Sequence, residues 1–186
     1  PAMYRIMLVD DETNILSALK RALLTIPVDD LDGDRPEIET FTSAREALTR
    51  MRSKHVDLII SDFRMPEMNG IEFLSAAREL QPDAARLILS GQADLAVMID
   101  AINRAQIYRF IGKPWHDYEL RSAVTQALAA RALVVENRRL ADTVRKQYGK
   151  ISRAEAELQR LEAESPGITQ LRLTPDGRIL IDDEDE

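Results

Sequence analysis

The sequence has no cysteine in its 186 residues, which excludes disulfides, thiolate metal sites and cysteine nucleophiles. Long hydrophobic runs are missing too: none approaches the roughly 20 residues that span a bilayer. Pro1-Ala2-Met3-Tyr4-Arg5 lacks the apolar segment of a signal peptide. A soluble, cytoplasmic protein with no membrane partner is therefore expected. There is no glycine-rich phosphate loop of the nucleotide-binding type. The two histidines, His55 and His116, have no partner at catalytic or metal spacing, so both read as surface or helix-cap residues. A formal net charge of −7 weighs against nonspecific nucleic-acid contact. No helix-turn-helix, cyclase or phosphodiesterase signature is legible, and no DNA binding is predicted.

What is present suits one folded domain with an appendage. Apolar residues make up 45%, enough for a core. Near residue 130 the composition changes, from short apolar runs alternating with helical periods to a charged stretch nearly free of Gly and Pro. Three segments follow: a domain over 4–128, a helix over 129–165, and a tail over 166–186.

In the first segment, Arg5–Val9, Ile38–Phe41, Asp57–Ser61, Arg86–Leu89 and Ile107–Ile111 read as strands. Continuous apolar runs such as Ile6-Met7-Leu8-Val9 suit strands buried on both faces of a parallel sheet. Helical spacing appears over 15–23, with Thr13 or Asn14 as cap, and again over 44–51, 71–80 and about 95–104. Residues 27–36 (PVDDLDGDRP) read as an exposed polar loop. The alternation predicts an α/β fold with a doubly wound, five-stranded parallel sheet.

Ligands of such sheets bind beyond the carboxyl ends of the strands. Asp10, Asp11, Asp62, Ser90 and Lys113 all fall there. A single carboxylate after a strand is ordinary loop polarity, but three carboxylates, a hydroxyl and a lysine at four strand ends are harder to dismiss. Clustered carboxylates repel and call for a cation. Oxygen ligands suit magnesium, which with Lys113 would neutralise a transferring phosphoryl group. A central aspartate can then act as nucleophile and form an acyl phosphate.

Leu8-Val9-Asp10-Asp11-Glu12, the stretch Ile60-Ser61-Asp62-Phe63-Arg64-Met65-Pro66-Glu67-Met68-Asn69-Gly70, Leu89-Ser90-Gly91 and Ile111-Gly112-Lys113-Pro114-Trp115 together resemble bacterial response-regulator receiver domains. The match covers roughly residues 4–128 and implies a flavodoxin-like fold. By that resemblance Asp62 is the phosphoacceptor of a partner histidine kinase or phosphotransfer protein. Asp11 is a direct Mg2+ ligand with Asp10 beside it, and the backbone carbonyl of Arg64 completes the metal site with Asp62. Lys113 contacts the phosphoryl group, Ser90 is the switch hydroxyl and Phe110 the switch aromatic. The resemblance thus implies a phosphoryl acceptor rather than a turnover enzyme. Met65, Met68 and Trp115 read as packing residues. Arg64 stands where aspartyl phosphohydrolases need a second acid, which disfavours that rival class. A receiver fold used only as an unphosphorylated scaffold is the other alternative, and it has no need of Lys113 or three acids.

The helix after Pro114 continues into a heptad pattern. Asn137, Val144, Ile151 and Leu158 occupy a, while Leu133, Leu140, Gln147, Ala154 and Leu161 occupy d. β-Branched a residues and a buried Asn137 favour a two-stranded, parallel homodimer. Lys150 would then face Glu155 of the partner, whereas Glu157 and Glu162 would meet as like charges. The competing reading is a solvated single helix held by local ion pairs. In the tail, Thr174-Pro175-Asp176-Gly177 signals a small hairpin before the acidic run 182–186. Output through a protein partner, or through a domain beyond this sequence, is expected.

Overall fold

A computed structural model describes residues 4–33, 35–91 and 105–164. The expected helix over 95–104, the hairpin and the acidic tail lie outside the described residues. In chain order the elements are β1 (Arg5–Val9), α1 (Thr13–Leu24), a 3-10 turn (Val28–Leu31), β2 (Glu37–Phe41), α2 (Ala44–Met51) and β3 (Leu58–Asp62). α3 (Gly70–Leu80), β4 (Ala85–Ser90), β5 (Arg109–Gly112) and α4 (Asp117–Glu164) follow.

The five strands form one sheet in the order β2-β1-β3-β4-β5, with every neighbouring pair parallel. Alternating side chains of the strands feed two cores, as a strand's period of two requires. On one face Ile6, Leu8, Leu58, Ile60, Leu87 and Leu89 pack with Leu16, Leu19 and Leu23 of α1 and Leu120, Val124 and Leu128 of α4. On the other, Met7, Val9, Ile59 and Ile88 pack with Met51 of α2 and Phe73, Leu74 and Ala77 of α3. β3, central in the sheet, is buried along its whole length. This is the doubly wound α/β sheet the strand pattern predicts, followed by a long helix.

Two local expectations are corrected. α1 has no side-chain cap, because Thr13 is already helical and Glu12 occupies the N-cap position. The backbone N–H of Glu12 is instead taken by Asp10 Oδ1 at 2.9 Å. Residues 27–36 are not a wholly exposed loop either. The 3-10 turn drives Leu31 into the core, where it is 1% exposed among the α1 and α4 side chains. Its acidic neighbours masked this apolar anchor in the sequence. Asp32, at φ 56°, turns the chain back and accepts a hydrogen bond from the Tyr4 hydroxyl. That bond, helped by burial, pushes the Tyr4 phenol up to about 12.

The chain divides at Glu136/Asn137 into two units. In the second, residues 137–164 are helical, and Leu140, Val144, Ile151 and Leu158 are each about half exposed. Among the described residues, none of the helices is long and apolar enough to cross a membrane.

Leu31→Ala should cost about 2–4 kcal/mol, the range for truncating a buried leucine. The exposed Val28→Ala in the same turn should cost under about 0.5 kcal/mol. Urea melts of both variants check this, and equal small losses would mean that the turn is not seated in the core.

Candidate functional site

The sequence places its functional side chains by running apolar strands into polar ends. Asp10 follows β1, Asp62 closes β3 and Ser90 closes β4, all three buried, while Lys113 follows β5. The parallel register aligns these ends. Asp62 pairs with Leu89, Ser90 with Gly112, and the Lys113 N–H donates to the Ser90 carbonyl at 2.8 Å.

Lys113 holds the cluster together. Its Nζ lies 2.6 Å from Asp62 Oδ1 and 3.0 Å from Asp10 Oδ2. Burial alone would lower the ammonium's pKa, but the hydrogen bonds to Asp62 and Asp10 and their charges outweigh it, so the value is raised. Asp10 is fully buried, and burial raises its pKa against the opposing pull of the Glu12 N–H and Lys113. The other oxygen of Asp62, Oδ2, accepts from the Arg64 N–H at 3.0 Å. Asp11 is exposed and adds the third carboxylate. One oxygen from each of Asp10, Asp11 and Asp62 lies within 4.8 Å of the other two. Three hard oxygen donors so grouped fit a magnesium ion.

The loop after Asp62 is held by close backbone packing. A Cβ at Gly70 would stand 2.1 Å from the Asp62 carbonyl oxygen, and the Gly70 N–H donates to the Phe63 carbonyl at 2.8 Å. Only glycine fits there. Asn69 then caps α3 reciprocally with Glu72. Phe110 is partly buried and packs on the α2/α3 side of the sheet. It is paired with Ile88, so the period of two puts Ser90 and Phe110 on the same sheet face. Met65 and Met68 pack on that face as well, and Trp115 packs on the α1/α4 side, as their reading predicts. His116 is exposed at the start of α4. His55 instead contacts Asp57 and Arg131, a grouping at the far end of the sheet that sequence reading missed. No local signal links those residues, since α4 supplies the arginine from a distant part of the chain.

Comparison with known proteins agrees with this geometry. Residues 6–125 match the family model of the response regulator receiver domain, and the chain belongs to that family. It is 36% identical over 135 residues to the hydrogenase transcriptional regulatory protein HoxA of Cupriavidus necator, covering 73% of this chain and 26% of that one. To the C4-dicarboxylate transport transcriptional regulatory protein DctD of Pseudomonas aeruginosa it is 31% identical, covering 86% and 33%. The chain thus spans about a quarter to a third of the length of these curated relatives. Among solved structures, the signal receiver domain of an HD domain-containing protein from Pseudomonas fluorescens Pf-5 superposes with a TM-score of 0.64 at 32% identity, covering 73% of this chain and 94% of that one. A protein from Neptuniibacter caesariensis gives 0.63 at 42% identity, covering 72% and 93%. The chain therefore carries the receiver module of two-component signalling.

Two outcomes test the site's construction. Gly70→Ala should cost about 1–3 kcal/mol in a urea melt, the usual penalty for overpacking. Lys113→Met should destabilise more near pH 7 than at acid pH, where protonation of Asp10 removes the charge the ammonium balances. Lys113 lowers the Asp10 pKa through its hydrogen bond and its charge, so removing the lysine costs more where that carboxyl is ionised. Equal losses at both pH values would assign the effect to the lysine stem.

Proposed function

We propose that this chain is a working response-regulator module in which Asp62 accepts a phosphoryl group from a histidine kinase or phosphotransfer protein. The observation that carries this reading is the trio of carboxylate oxygens within 4.8 Å, with Lys113 bridging two of the carboxylates. In the step, an Asp62 oxygen bonds to phosphorus as the phosphorus–nitrogen bond of a phosphohistidine breaks. The imidazole leaves with the electron pair. Asp10, Asp11, Asp62 and the Arg64 carbonyl would hold Mg2+, which supplies charge neutralisation on the phosphoryl oxygens. Lys113, now shared by Asp62 and Asp10, turns to a phosphoryl oxygen once Asp62 is phosphorylated. The Arg64 N–H is positioned to donate to an oxygen on the same group, as it does to Asp62 Oδ2.

Ser90 and Phe110 serve as the switch pair of this reading. They share one sheet face, so a Ser90 hydroxyl drawn to phosphate opens room into which the partly buried Phe110 can turn. The domain limits proposed are 4–128 for the receiver and 129–165 for a signalling helix. That helix forms a parallel homodimer through Leu133, Asn137, Leu140, Val144, Ile151, Leu158 and Leu161. The exposure of its apolar members supports it: Leu133 is 68% and Ile151 53% exposed, leaving apolar surface that a second copy would cover.

The module works in the cytoplasm, and its output runs through a protein partner or a further domain. The curated relatives are named as transcriptional regulators, so a longer protein of their kind would act on transcription. The prediction of no DNA contact is limited to the residues of this sequence.

Intact mass after incubation with a small acyl-phosphate donor tests the proposal. A gain of one phosphoryl group is expected with Mg2+, with none in its absence or in Asp62→Asn. Failure to label where another receiver is labelled would leave the unphosphorylated scaffold as the better reading.

A further inference from the structure

The end of the sheet away from Asp62 carries a second charged cluster. Asp57 immediately precedes β3 and is 8% exposed, and its Oδ2 accepts from the Arg5 backbone N–H at 2.7 Å. Its Oδ1 lies 2.9 Å from Nη2 of Arg131, a residue of α4. Nε2 of His55 stands 3.2 Å from that carboxylate oxygen and 2.9 Å from that guanidinium nitrogen. One ring nitrogen cannot donate to Asp57 and accept from Arg131 at once. The histidine contacts therefore alternate, while the Asp57–Arg131 pair does not depend on them.

Arg131 sits where the apolar seating of α4 ends. Leu128 is the last α4 side chain buried in the core, at 1% exposure. One turn later the Arg131 side chain is 12% exposed, whereas Leu133 and Val134 are 68% and 54% exposed. The guanidinium is only partly satisfied, because its Nε is buried without a hydrogen-bond partner. Leaving such a donor dry is unfavourable, and the charge pair with Asp57 opposes that cost. If the helix lifted, Nε would gain water and the pair would be lost. Those opposing terms make this contact easy to tip.

We propose that the Asp57–Arg131 pair is a joint that holds residues 129–136 of α4 helical on the receiver body and lets them fray when it is loosened. Beyond Leu128 the helix buries no side chain in the core, so its order there rests on its own backbone bonds and on contacts such as this one. Fraying there would therefore weaken the helix that leads into the seam, a consequence that rests on the dimer reading above. Asp57 adjoins Leu58, so the joint is anchored to the strand whose other end is Asp62.

Hydrogen–deuterium exchange on the full chain tests the joint, using Arg131→Gln, Asp57→Asn and the double variant. The double variant leaves no charge buried and unpaired, so it serves even where a single change prevents folding. Amides of 129–136 should exchange about tenfold faster or more, while those of β1 and β3 stay within about twofold of wild type. Unchanged exchange over 129–136 in the double variant overturns the proposal. So does equal acceleration throughout the domain, which would make the pair a plain fold stabiliser. Sedimentation of the same samples addresses the seam. Weaker self-association in the variants supports the link, and unchanged self-association beside frayed 129–136 severs it. A monomeric wild type that keeps the exchange difference removes the dimer reading and leaves the joint standing.

Discussion

Two buried carboxylates from different strands share one ammonium, and the receiver's working end depends on that arrangement. Asp10 and Asp62 would repel each other in a dry setting, and Lys113 offsets the repulsion with contacts of 3.0 and 2.6 Å. The lysine can do so only because β5 lies two strands from β3 in the sheet and delivers it just past the strand end. The order β2-β1-β3-β4-β5 is therefore a condition for charge balance as well as for burial. Three acids and one lysine leave net negative charge, which is the state that favours a divalent cation. The residual charge and the group of oxygens are two consequences of the same placement.

The backbone around this cluster is as constrained as the charges. Gly70 lies so close to the Asp62 carbonyl that no side chain is tolerated. Asp62 Oδ2 takes the Arg64 N–H, and Asp10 Oδ1 takes the Glu12 N–H. Each carboxylate thus has one oxygen fixed by the local chain and the other turned to Lys113. Orientation comes from neighbouring amides, whereas electrostatic balance comes from a distant strand. In the reading proposed above, a change in the charge on Asp62 disturbs the second without undoing the first.

Much of this was legible in the sequence because it is written in local pattern. Continuous apolar runs located β1, β3 and β4, weaker patterns located β2 and β5, and β3 is buried at every position, as such a run implies. Polar residues at the ends of those runs then indicated the site, since parallel strands bring their carboxyl ends together. Leu31 was missed because one apolar residue among four aspartates carries no periodic signal. The caps of α1 were misassigned because Asp10, whose side chain takes the Glu12 amide, was read only for its charge. Arg131 falls in the charged stretch after residue 130 and carries no signal of its own there. Its burial depends on Asp57 being presented at the opposite end of the same sheet, which no window of sequence contains.

The two ends of β3 treat charge differently, and the contrast bears on how a signal could leave the domain. At the Asp62 end one cation serves two buried anions, so any change at either carboxylate frees or demands the ammonium. At the Asp57 end one carboxylate serves a guanidinium whose Nε has no partner, so the cation rather than the anion is left short. In the readings proposed above, the first end accepts positive charge or a phosphoryl group, and the second releases a helix. Between them runs a strand packed on both faces with no exposed residue. Such an element is stiff, because close-packed interiors resist compression and pass displacement along. A small shift of Asp62 has little room to dissipate sideways along β3. At its far end the contact with Arg131 leaves the guanidinium Nε without a partner.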